Sequence, residues 1–69
     1  MLTEEQMTHT RATLHELQIE HRDLDLVIEH LMLNPPPDEL LVRRLKKHKL
    51  LLKDRITFLE HMLEPDVPA

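Results

Sequence analysis

Three consecutive prolines, Pro35, Pro36 and Pro37, interrupt a 69-residue chain that otherwise repeats apolar residues at helical spacing. Proline lacks the donor a helix interior needs and clashes with the preceding turn, so no single helix runs through this point. The chain must therefore fold as two segments. A residue ahead of a proline is pushed out of the α region, which ends the first helix at about Leu33 and leaves Asn34 extended. Polyproline II rises about 3.1 Å per residue, so three prolines cover roughly 9 Å. Packed helices lie about 8–10 Å apart. The prolines thus read as a stiff spacer across the top of an antiparallel pair, and a ligand for a proline-binding domain is the less favoured reading of so short a run.

The first segment opens with Thr3-Glu4-Glu5-Gln6, the pattern of a capping box, which starts a helix at Glu4. From there Met7, Leu14, His21 and Ile28 recur every seven residues, with Thr10, Leu17, Leu24 and Leu31 three places on. These are the a and d positions of four heptads. Thr10 and His21 are the two imperfect members. A second stripe, Ala12, Ile19, Leu26 and Leu33, lies on the opposite face, with Val27 beside the seam. Apolar residues on both sides imply that this helix is covered twice, by its partner helix and by another chain.

Beyond the hinge, Val42, Leu45, Lys49, Leu52, Ile56, Leu59 and Leu63 alternate three- and four-residue steps as a matching seam. Asp38 and Glu39 supply negative charge at the start of this helix, where the dipole favours it. Folding symmetrically about Pro36 sets Leu31 against Val42, Ile28 against Leu45, Leu17 against Ile56 and Leu14 against Leu59. The middle layer is polar: His21 falls near Leu52 and Lys49 near Leu24, with Asp25 and Asp54 placed to accept from Lys49, Lys53 or His21. Leu41, Leu51, Phe58 and Met62 form a second stripe here too, with Leu50 beyond it. The residues from Glu64 to Ala69 are interrupted by Pro65 and Pro68 and read as a flexible tail.

Composition excludes much. Sixty-nine residues allow one small domain with a thin core. The chain has no cysteine and no glycine, which removes disulfides, thiolate metal sites, phosphate-binding glycine loops and nucleophile elbows. Phe58 is its one aromatic residue, so stacking platforms for single-stranded nucleic acid are absent. Its apolar runs, such as Leu31 to Leu33 and Leu50 to Leu52, fall far short of the roughly 20 residues of a membrane span. Glu4 and Glu5 stand where a secretory signal would carry Lys or Arg, and the expected setting is cytoplasmic.

The strongest chemical feature is Arg43-Arg44-Leu45-Lys46-Lys47-His48-Lys49, and residues 39–55 hold seven of the nine Lys and Arg. A nucleic-acid contact through Arg43, Arg44, Lys46 and Lys47 is one reading. The plainer one is pairing within the hairpin, because the segment before the hinge has seven acidic and two basic residues, net −5. Such surface pairs are worth below about 1 kcal/mol each and select register more than they stabilise. The net charge of −4 also disfavours a polyanion as partner.

His21 at a seam position is compatible with a catalytic base, a metal ligand or a buried polar residue that sets register. Catalysis needs a pocket or nucleophile within reach, which a two-helix hairpin lacks, so the register role is preferred. That role brings His21, Asp25, Lys49, Lys53 and Asp54 into one polar cluster and makes stability depend on pH near the histidine range. The six histidines, at 9, 15, 21, 30, 48 and 61, include no pair at i and i+3 or i+4. The one arrangement left for a metal is His9 with His61 and Glu5 across the open end of the hairpin, and no metal or cofactor is expected.

The run Glu20-His21-Arg22-Asp23-Leu24-Asp25 with Ile28, a proline-containing break, and then Leu45-Lys46-Lys47-His48-Lys49-Leu50-Leu51-Leu52-Lys53-Asp54-Arg55-Ile56 resembles the YdcH family of small bacterial proteins of unknown function. The likeness covers about Leu14 to Leu63. It implies a short antiparallel coiled-coil hairpin and no particular activity.

The expectation is an all-α hairpin over residues 1–64: helix 1 at about 4–33, a proline hinge at 34–38 and helix 2 at about 38–63, with a tail at 65–69. A small chain without staples usually needs oligomerisation. A homo-oligomer, most simply a dimer forming a four-helix bundle, is expected through Ile19, Leu26, Leu33, Leu51, Phe58 and Met62. The functional expectation is a non-enzymatic interaction or scaffold module that binds itself or a partner protein's helix. The alternative is a small nucleic-acid-associated regulator.

Overall fold

The structure, a computed structural model, describes residues 2–34 and 38–64. It is an all-α hairpin of two helices, α1 over Glu4–Leu33 and α2 over Glu39–Leu63. The triple proline proposed as a spacer and the tail after Glu64 lie outside the described residues. A helix of 30 residues is about 45 Å long at 1.5 Å per residue, and the molecule measures 49 × 26 × 15 Å. Two helices side by side make one layer, so each helix meets its partner along a single strip.

Local chemistry accounts for the helix ends. Thr3 is extended (φ −71°, ψ 164°) and forms a complete capping box: the Gln6 amide donates to Thr3 Oγ1 at 3.1 Å, and the Thr3 amide donates to Gln6 Oε1 at 2.9 Å. Glu4 and Glu5 then occupy the first turn. At the other end Asn34 is extended (φ −106°, ψ 98°), the conformation imposed on a residue before proline. Its Nδ2 donates to the His30 carbonyl at 2.6 Å, satisfying one acceptor that the end of a helix leaves open. Asp38 stands one residue before α2 as its N-cap, and its Oδ1 accepts from the Leu41 amide at 3.0 Å.

The core is the inner strip alone. Leu17, Leu24 and Ile28 of α1 and Val42, Leu52 and Ile56 of α2 are buried together, with Leu14, Leu31, Leu45 and Leu59 partly buried against them. Every one of these belongs to the heptad seam, because only residues three and four apart stay on the side facing the partner. Thr10 shows how a polar group is tolerated at the seam: its hydroxyl donates to the Gln6 carbonyl at 2.8 Å, within its own helix. Among the described residues no polar residue is buried and no buried side-chain polar atom lacks a partner.

Burial sets a clear contrast for mutation. Ile56 is 3% exposed and Leu50, six residues away, is 62% exposed. Ile56→Ala is expected to destabilise the hairpin by about 2–5 kcal/mol, and Leu50→Ala to change it by less than about 0.5 kcal/mol. Thermal or urea denaturation followed by helical circular dichroism measures both.

Candidate functional site

The polar layer of the seam is organised by Asp25. Lys49 Nζ lies 2.6 Å from Asp25 Oδ1, and His21 Nδ1 lies 3.7 Å from Asp25 Oδ2. The first is a short, charge-assisted hydrogen bond. The second is longer than a hydrogen bond and is an electrostatic contact only when the ring is protonated. Asp25 thus bridges two seam positions, one on its own helix and one on α2. The cluster is not buried: the His21 side chain is 24% exposed and that of Asp25 47%.

Two members of the expected cluster stand apart from it. Lys53 and Asp54 are exposed and take part in no ion pair among the described residues. Asp54 follows Lys49 by five residues and points to a different side of α2, since only i+3 and i+4 neighbours share a face. Lys53 shares Lys49's side, but Lys49 already holds the carboxylate. One cross-helix contact lay outside the sequence reading: His48 Nε2 stands 3.4 Å from Glu20 Oε1. Its signal was available, because both residues flank the seam directly.

The basic run behaves differently from the pairing that the charge balance implied. Among the described residues only Lys49 and His48 of α2 reach an acidic partner on α1. Arg43, Arg44, Lys46 and Lys47 are exposed and in no ion pair among the described residues. Surplus charge therefore remains on both helices. α1 has seven acidic and two basic side chains, net −5; α2 has three acidic and seven basic, net +4.

The outer apolar stripes are also uncovered within the chain. Ile19, Leu26, Leu33, Leu51, Phe58 and Met62 are all exposed, from 40% at Met62 to 73% at Leu33. Two surface clefts lie among the described residues. One is lined by Met32, Glu39, Val42 and Arg43, the other by Leu2, Glu5, Gln6, His9 and Thr10. His61 does not line the second, and no group of three or more His, Cys, Asp or Glu is placed to hold a metal ion among the described residues. Among the described residues no helix is long and apolar enough to cross a membrane.

The site is thus a one-layer helical hairpin with a solvated polar seam and exposed outer stripes. The chain belongs to the DUF465 family, described as a protein of unknown function, whose family model matches residues 14–60. That span contains all six buried core residues together with His21, Asp25 and Lys49. No curated protein and no solved structure matches the chain.

The Asp25 site has a definite pH signature. The Lys49 ammonium donating to Asp25 holds its carboxyl below the usual carboxylate range, and a protonated His21 adds a smaller pull in the same direction. A lowered carboxyl pKa stabilises the fold above the unfolded value, about 3.9 for Asp, and that stabilisation is lost as pH falls through the folded value. The pH dependence carried by Asp25 therefore lies on the acid side. Melting temperatures between pH 2 and 7 are expected to fall less steeply with acid in Asp25→Asn than in the natural chain. Identical slopes would remove Asp25 from this role.

Proposed function

We propose that this hairpin is a non-enzymatic interaction module that associates with itself, most simply as a dimer in which two hairpins complete a coiled-coil four-helix bundle. One observation carries the reading: eleven large apolar residues are exposed among the described residues, against six that are buried. A small chain with a thin core gains much from covering such stripes, since burial stabilises by about 25 cal/mol per Å² of apolar surface. The same surface would accept a partner protein's amphipathic helix. On the YdcH resemblance, the proposed setting is the bacterial cytoplasm.

Light scattering tests the reading directly. The natural chain is expected to scatter as an oligomer, and Leu26→Glu or Phe58→Glu to shift the mass toward one chain while circular dichroism keeps its helical signal. A single-chain mass for the natural protein at all concentrations would sink the proposal.

A second reading rests on the cations that lack ion pairs, Arg43, Arg44, Lys46 and Lys47. A nucleic-acid-associated regulator would use them on phosphates, and binding would weaken steeply with salt through counterion release. A gel-shift titration from low to high salt separates the two, because the interaction-module reading expects no shifted species.

A further inference from the structure

We infer that a second copy of this chain covers α2 in one particular orientation, with its acidic α1 laid antiparallel on the basic, apolar face of α2. This inference rests on the self-association reading and adds the face and the axis. The face is marked by the contact between Glu20 and His48, which places both residues on the same side of the hairpin. Steps of three and four along α2 from His48 reach Leu41, Arg44, Leu51, Arg55, Phe58 and Met62, all exposed. The same steps along α1 from Glu20 reach Glu16, Asp23 and Val27, also exposed. One half of this face is therefore apolar and cationic, and the charges of the other half are acidic. Arg44, Arg55, Glu16 and Asp23 form no ion pair among the described residues.

A two-fold interface uses the same patch on both copies, and two axes lie in the plane of this one. An axis running across the helices lays like on like, Glu16, Glu20 and Asp23 of one copy over the same three of the other. Juxtaposed like charges disfavour that arrangement. An axis running along the helices lays each α2 over the other copy's α1, acid on base. Both axes make every neighbouring pair of helices antiparallel, as in an up-down-up-down bundle, so charge decides between them. The heights agree: midway between the registers set by the Asp25–Lys49 and Glu20–His48 contacts, Arg55 stands level with Glu16, at the start of the turn of α1 that ends on Glu20. An axis along the helices preserves height, so Arg55 meets those carboxylates on the second copy, while Leu51 and Phe58 pack on the aliphatic stems around them.

Charge reversal on each helix tests the orientation by analytical ultracentrifugation. Arg44→Glu with Arg55→Glu makes both halves of the face acidic, and Glu16→Lys with Asp23→Lys makes both basic. Each double variant is expected to dimerise at least tenfold more weakly than the natural chain. The chain carrying all four changes is expected to dimerise again, because acid and base have exchanged places. All positions are exposed, and circular dichroism checks that each variant remains helical. If both double variants dimerise like the natural chain while Phe58→Glu does not, self-association stands and this orientation is overturned. A natural chain that never dimerises overturns the self-association reading and this inference together.

Discussion

The apolar seam between α1 and α2 is the interaction on which the rest of the molecule depends. Six side chains, Leu17, Leu24, Ile28, Val42, Leu52 and Ile56, exclude water from the line where the helices meet, and apolar burial is the main favourable contribution to folding. An isolated helix gains little from propensity alone, because its first turn is costly to nucleate. Here each helix is held by the strip that faces the other. Capping by Thr3 and Asp38 and the Asn34 bond to His30 satisfy groups at the helix ends and add to the packing of the seam.

A seam of this width leaves a large remainder. One layer of two helices can bury only the residues that face the partner, so the outer stripes stay in solvent however apolar they are. The charges are left over in the same way. Lys49 reaches Asp25 because a seam position brings the ammonium across, and His48 reaches Glu20 because both flank the seam. Lysines and arginines farther round α2 are turned away from α1. Opposite net charge on the two helices is thus present without being consumed by direct ion pairs, and it is available to another surface.

The polar layer shows why a seam tolerates Lys and His. Neither is buried: the ammonium and the ring stay at the edge of the strip and share one carboxylate. A solvated arrangement avoids the desolvation penalty of a buried ion pair. Exposed pairs of this kind contribute little to stability. Lys49 prefers to sit near Asp25, and a slipped alignment of the two helices would separate them.

The sequence by itself determined the helices and the side on which they meet. Prolines forbid a continuous helix whatever surrounds them, a capping box acts within a few residues, and period-seven apolar positions share one side of a helix by its geometry alone. Tertiary structure decided which polar groups touch. Asp25 and Asp54 are both close to Lys49 in a flat projection, and only the rotation of each helix about its axis separates the one that accepts from the one that points away. It also decided that, among the described residues, the acidic and basic helices pair at two places. Charge balance is a sum along the chain, whereas an ion pair requires two side chains to reach the same few ångströms of space.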